Sequence, residues 1–494
     1  MDQPPQAANP PLTVVSTTKP PAPGRRTNER TLMFHTLRRP AGFYKRLVLL
    51  ALPLMLQNLI TTSLAFVDTF MVGLVGDAEL SAVTAANAPI FLLQVIIFGL
   101  MSSLTVLVSQ YWGRGDRDAI NRTMGATLYT GVLLSGLAAL LLFFYPTQVM
   151  SIVTNNADLV AIGAPYLKIV GVSYVFNAAS SVYVSMQRST ENPLFGMLVF
   201  GASMLLNTFL NYVLIFGHLG APRLGVIGAA LATLTSRVIE LLIVLVYSLV
   251  NKRIPLEPGN IFLPGWDTFR VYLKNAAPIL LNETMWGLGT TMMTVIMGHM
   301  LISADMLAAF AIMGNIDKFT TVSCFGLAGA SAVMVGKRIG EGADREEVYS
   351  LSACLLLVAF FLGLFLAAAL TIALPLFFIP LLYPLFSLSE TAMSAAIWLC
   401  IAYIVTFPLK SYDISNITGI LRAGGDAAMG SVIDLVPLWL FAVPLAAVLG
   451  VALNAPLPLV CFAIYSENFI KMPWGVVRLR SRKWIHDLTR RDHP

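Results

Sequence analysis

Several ionisable residues stand inside long apolar stretches where a charge has no water to solvate it: Asp68, Arg237, Glu240, Glu283, Asp317, Lys318, Lys410, Asp413 and Asp434. At a bilayer centre each would cost on the order of 2.5–3.5 kcal/mol, so each needs a partner or a task. Arg237 and Glu240 are three residues apart on one helix face and can neutralise each other. Asp317 and Lys318 are adjacent, so within a helix they point apart, and one of them must meet a partner on another helix. Glu283 follows Lys274 by nine residues and Asp413 precedes Arg422 by nine. At 1.5 Å per residue, both then lie about 14 Å from one membrane face. Two carboxylates at one depth can share a proton or a cation such as Na⁺. The competing reading is that Lys410, three residues from Asp413, neutralises it within the helix. Asp68 has no basic residue within a helical turn, so it is protonated, ion-bound or open to a wet cavity. Asn177, Asn207, Asn211 and Asn282 can supply neutral oxygens to such a cavity, or simply link helices by hydrogen bonds.

The elements that must hold these groups follow from composition. Hydrophobic residues make up 57% of the chain and charged residues 12%, against about 25% charged in a soluble domain. At about 20 apolar residues per crossing, 494 residues allow twelve helices joined by short loops. The long uncharged runs place these helices near 46–74, 80–112, 122–145, 158–188, 193–217, 224–250, 268–299, 304–336, 347–376, 389–421, 427–449 and 452–475, with a turn at Pro375, Pro380 and Pro384. Residues 1–44 read as a disordered, Pro-rich basic tail, 251–267 as a linker and 476–494 as a second basic tail. The two six-helix lobes then span 45–250 and 268–475.

Most of the 32 Lys and Arg fall in the two tails and in loops on one side, including Arg114, Arg188, Lys252, Lys337 and Arg422. The opposite loops carry Asp77, Glu79, Asp158, Asp305 and Glu390, with Arg223 as their one clear base. This asymmetry puts both termini in the cytoplasm of a multi-pass protein of the plasma (inner) membrane. It also explains the basic balance without nucleic acid. Cys324, Cys354, Cys400 and Cys461 lie in apolar runs without ligand spacing and read as small fillers. The histidines form no catalytic or metal spacing and no phosphate loop occurs, so neither an enzyme nor an ATP-driven pump is expected; a channel is a further alternative, but no helix pattern singles out a filter.

The chain repeats itself. Pro53-Leu-Met-Leu-Gln-Asn58 with Gly73 answers Pro278-Ile-Leu-Leu-Asn-Glu283 with Gly298. Phe98-Gly99-Leu100 with Gly113-Arg-Gly115 answers Phe325-Gly326-Leu327 with Gly340-Glu-Gly342, and Arg188 answers Arg422. Six crossings return the chain to its starting side, so a pseudo-twofold axis along the membrane normal must relate the halves. A cleft between two such bundles suits alternating access.

On these residues the chain resembles the multidrug and toxic compound extrusion (MATE) family, in its NorM-like branch. The similar elements include Phe66-Val-Asp68-Thr-Phe-Met-Val-Gly73, Gln110-Tyr-Trp-Gly-Arg-Gly-Asp116 and Leu206-Asn-Thr-Phe-Leu-Asn211. Further ones are Leu224-Gly-Val-Ile-Gly-Ala-Ala230, Asn282-Glu283 and Asp413 followed by Leu421-Arg-Ala-Gly-Gly-Asp426. The resemblance implies an all-α, V-shaped pair of six-helix bundles that exports amphiphilic, mostly cationic organic compounds in exchange for Na⁺ or H⁺. It implies no cofactor beyond the coupling ion, and small organic cations and the lipid bilayer are the expected partners of a functional monomer. It assigns coupling to Asp68, Glu283 and Asp413; Lys410 is foreign to the pattern. The rival is a lipid-linked oligosaccharide flippase of the same superfamily, which would line its cleft with cations rather than acids.

Overall fold

The computed structural model describes residues 37–382 and 388–490, and no strand occurs among them. Twelve crossings follow in order: α1 (Ala41–Gly73), α2 (Asp77–Arg114), α3 (Arg117–Phe144), α4 (Ala157–Ser189), α5 (Pro193–Phe216), α6 (Val226–Val250), α7 (Trp266–Gly298), α8 (Ser303–Gly340), α9 (Arg345–Ala373), α10 (Glu390–Ile414), α11 (Ala427–Pro437) and α12 (Leu457–Ile464 with Glu467–Ser481). Ten of these are long and apolar enough to cross a membrane on length and composition alone. The exceptions are α7, which opens on Asp267, Arg270 and Lys274, and α12, which is broken.

Local sequence sets the ends. Asp116, Asn156, Asp344 and Ser389 each accept a backbone N–H of the turn they cap, at α3, α4, α9 and α10, which satisfies donors a helix N-terminus leaves free. Several helices then depart from the expectation. α9 runs on in wide π turns through Pro375 and Pro380 to Leu382, where a turn was expected; Pro384 lies outside the described residues. The end of α10 (Ser415–Leu421) and stretches after α11 (Leu438–Ala442, Val448–Ala452) are also π-helical. Inserted turns of this kind appear often at functional sites, and Asp413 lies two residues before the one that ends α10. In α12, the break at Tyr465–Ser466 frees carbonyls that Ser466 Oγ (to Ala463, 2.7 Å) and Asn468 Nδ2 (to Tyr465, 3.1 Å) engage. Irregular backbone at membrane depth needs such satisfaction. The chain expected as a free tail from 476 remains helical to Ser481. Of the N-terminal tail expected over 1–44, residues 1–36 lie outside the described residues, and α1 already starts at Ala41.

The halves α1–α6 and α7–α12 meet through contacts that a twofold axis would exchange. Gly99 of α2 faces Leu280 of α7, and its repeat mate Gly326 of α8 faces Met55 of α1, the mate of Leu280. The mates Phe98 and Phe325 pack edge to face at 6.1 Å. Where α2 and α8 cross, the backbones nearly touch. A Cβ on Gly113 would fall 2.0 Å from the Lys337 carbonyl oxygen, and one on Gly340 would fall 1.9 Å from that of Gln110. The last glycine of each motif, Gly115 or Gly342, turns the chain at φ 77° or 76°, a conformation that suits residues without a Cβ. The repeated Gly-x-Gly is therefore one glycine for approach and one for the turn. Gly340→Ala is expected to cost about 1–3 kcal/mol by overpacking. Thermal unfolding of the purified variant checks this; an unchanged midpoint would mean the crossing is loose.

Candidate functional site

In the first half, α5 presents Asn207 and Asn211 one turn apart on the face towards α1 and α6. Asn211 Nδ2 donates to Asp68 Oδ1 at 2.5 Å and to Asn207 Oδ1 at 3.1 Å, and Asn207 Nδ2 donates to Thr233 Oγ1 of α6 at 3.4 Å. One turn further along α6, Arg237 donates to Glu240 at 2.7 Å, the same-helix pair expected from their spacing. Ser180 Oγ of α4 donates to the other Glu240 oxygen at 2.5 Å, so this fully buried carboxylate is matched on both sides. Asp68 itself makes no ion pair within 4.0 Å among the described residues; its hydrogen-bond partner is the Asn211 amide. Asn177 shares none of these bonds and offers Ser180 only its backbone carbonyl.

In the second half the acids are mostly matched to bases. Lys410 donates to Asp317 at 2.5 Å, and Tyr403 Oη donates to the same oxygen at 2.7 Å. Asp317 thus finds its partner on another helix, and Lys410 is taken up there rather than by Asp413. Arg422, expected in a loop, is instead 1% exposed and turns inward to pair with Glu283 at 2.7 Å. Lys471 is buried within α12 between Asp434 (2.7 Å) and Glu467 (3.0 Å). Asn282 Nδ2 donates to the second Asp434 oxygen at 3.0 Å.

Asp413 is left over. It is 4% exposed, and neither carboxylate oxygen has a hydrogen-bond partner. Ser415 Oγ and both side-chain atoms of Asn416, on the following wide turn, are buried and unpartnered as well. An unpaired ionised carboxylate is the costliest group to bury, so this position suits a proton, a cation or water. No hydrogen bond or ion pair joins Asp413 to Glu283 among the described residues. Equal depth gave their level along the axis but not their bearing around it, and Asp434 with its bases belongs to the same cluster.

Sequence reasoning gave Lys471 no role, although a signal was present. The offset of 234 that pairs Arg188 with Arg422 also pairs Arg237 with Lys471. Each half thus carries a base on its sixth helix, half-buried Arg237 and buried Lys471, engaged by a carboxylate one turn away: Glu240 for Arg237 and Glu467 for Lys471.

The halves are joined tightly on the face that carries the basic loops. Glu191, in the turn between α4 and α5, is held by Arg46 of α1, by Lys337 Nζ of α8 at 2.9 Å and by Trp112 Nε1 of α2 at 3.3 Å. Burial alone would raise its carboxyl; the hydrogen bonds and charges of Lys337 and Arg46 outweigh burial and hold it below its ordinary value. Glu191 adopts φ 63°, a strained backbone that persists where surrounding contacts over-determine it.

Twelve helices in two matched halves, with buried carboxylates in each and a sealed basic face, define a membrane transporter built on an internal duplication. The MatE family model matches the chain twice, over residues 53–213 and 278–448, and the chain belongs to the MATE family of transporters. The transporter YisQ of Bacillus subtilis is 26% identical over 91% of this chain and 97% of its own length. A probable multidrug resistance protein NorM of Thermotoga maritima is 26% identical over 62% of this chain and 65% of its own. Among solved structures, an outward-facing multidrug resistance MATE transporter superposes with a TM-score of 0.79 at 18% identity, covering 91% of this chain and 98% of that one. A MOP superfamily transporter of Pyrococcus furiosus gives 0.78 at 20% identity, over 89% and 96%. These likenesses establish the fold.

Proposed function

We propose that the protein is a secondary active multidrug efflux antiporter that exports amphiphilic, mostly cationic organic compounds in exchange for Na⁺ or H⁺. The observation that carries this reading is that each half holds one intramembrane carboxylate without a basic partner in the described structure, Asp68 and Asp413. All the other membrane acids with a described ion pair are already neutralised. An incoming cation or proton supplies the missing counter-charge, and a cationic drug competes for the same field. Competition for one field is sufficient to couple opposite fluxes. The names of the NorM relative and of the outward-facing neighbour, both multidrug resistance proteins, are in keeping with drug export. The duplicated halves, 45–250 and 268–475, would rock against each other, with the protein in the plasma membrane and both termini cytoplasmic.

A flippase for lipid-linked oligosaccharides would need free cations to hold a diphosphate. Arg237, Lys410, Arg422 and Lys471 are each engaged by a carboxylate instead. The deciding experiment is dye flux in proteoliposomes, with Na⁺ and pH gradients imposed separately on a panel of cationic dyes. Uphill dye movement under at least one gradient is expected. Movement under neither, in protein that retains its fold, would remove the antiporter reading.

A further inference from the structure

Beyond the last helix the chain does not leave the molecule. Trp484 is fully buried against Gly424, in the turn between α10 and α11, and donates its Nε1–H to the Leu479 carbonyl at 3.1 Å. The His486 backbone N–H then donates to the Gly424 carbonyl at 2.8 Å. To this point the segment is fastened to the second half, from which it also comes.

The next residues cross to the first half. Gln110, fully buried near the end of α2, accepts the Leu488 backbone N–H at 2.8 Å. Its amide Nε2 donates to the carbonyls of Ala423 at 2.8 Å and His486 at 3.2 Å. Arg114, one turn on, donates to the Thr489 carbonyl at 2.8 Å and to Thr489 Oγ1 at 3.1 Å. All of Gln110's side-chain bonds therefore end on the second half or on the returning segment. They lie beside Gly340, whose backbone touches that of Gln110. The seam they cover is the one that must open if the cleft is to face the basic side.

We propose that residues 482–490 form a strap across this seam, anchored on the α10–α11 turn and clasped by Gln110 and Arg114, and that its release is a required step in opening the basic face. This inference rests on the alternating-access reading above. The strap comes from the second half, so separating α2 from the α10–α11 turn must break the Gln110 and Arg114 bonds even if the Trp484 anchor stays in place. Bonds that exist in one state and not the other bias the equilibrium towards the state that keeps them. A strap that detaches at its clasp and stays fastened at its anchor resets without refolding.

The test uses the full chain with its four cysteines changed to Ala and Ser103→Cys as reporter. Ser103 is buried on α2, and its Oγ accepts from Asn275 of α7 at 2.9 Å, so it labels from the basic side only when the halves part there. An impermeant maleimide is supplied on that side of sealed proteoliposomes. Deleting residues 488–494 removes the clasp bonds to Leu488 and Thr489 and leaves the Trp484 anchor. The labelling rate should then rise at least about tenfold, as expected for losing three hydrogen bonds, two of them donated by the charged Arg114. Arg114→Ala with Thr489→Val should raise it in the same direction, and this pair decides the matter if the deletion fails to fold. An unchanged rate in folded protein would overturn the strap, even if dye transport proceeds. A raised rate in protein that moves no dye in any form would uphold the strap and count against the antiporter reading.

Discussion

Asp68→Asn should insert and fold normally yet lose gradient-driven dye export by at least about tenfold, a loss of about 1.4 kcal/mol or more in the driven step. The amide reproduces the shape of a protonated carboxyl, and Asp68 already bonds to a neutral amide, Asn211. No ion pair is broken by the change, since none within range includes Asp68. What disappears is the ability to alternate between charged and neutral forms, or to hold an ion. Expression, thermal unfolding and dye flux measured on the same preparation separate these effects. Retained export in a normally folded variant would remove Asp68 from the coupling step.

The second large effect is a contrast within the other half. Glu283→Gln strands Arg422, which is 1% exposed and loses its 2.7 Å ion pair. Breaking a buried pair by removing one partner costs about 3–5 kcal/mol. Arg422→Gln added to Glu283→Gln should recover most of that loss, because the pair then vanishes as a unit. Asp413→Asn removes a carboxylate that has no partner and breaks no ion pair, so stability should not fall below that of the parent. The ion dependence of dye release should nonetheless be lost. Denaturation and ion-dependent release are measured together on all four proteins. Equal destabilisation by Glu283→Gln and Asp413→Asn would show that Asp413 has a structural partner after all, and would return it to the scaffold.

These two acids mark the limit of what spacing could reveal. Their equal distance from Lys274 and Arg422 is a statement about rise along helices, and rise is readable from a sequence. Which way each side chain faces depends on how α7, α10 and α12 are turned against one another. Arg422 was counted among loop bases because it ends an apolar run. In the folded chain a long side chain at a helix end turns inward, where a buried acid attracts it more than water does. The polar end of α12 likewise reads as a tail from 476, but its helix continues to Ser481 and buries Lys471.

By itself, the sequence determined that the chain crosses a membrane twelve times, roughly where each helix runs, and that two like halves repeat. Apolar run length, the distribution of Lys and Arg and the Gly-x-Gly motifs are one-dimensional records of the bilayer and of close backbone approach. It also marked Arg237 with Glu240, because partners within a helical turn are local. Only the tertiary structure decided which distant charges neutralise one another: Lys410 with Asp317, Arg422 with Glu283, and Lys471 with Asp434. It alone left Asp413 without a partner, and it alone brought the last residues back to Gln110. The physical reason is that an ion pair or hydrogen bond acts over a few ångströms, and helices remote in sequence come within that range only after they pack.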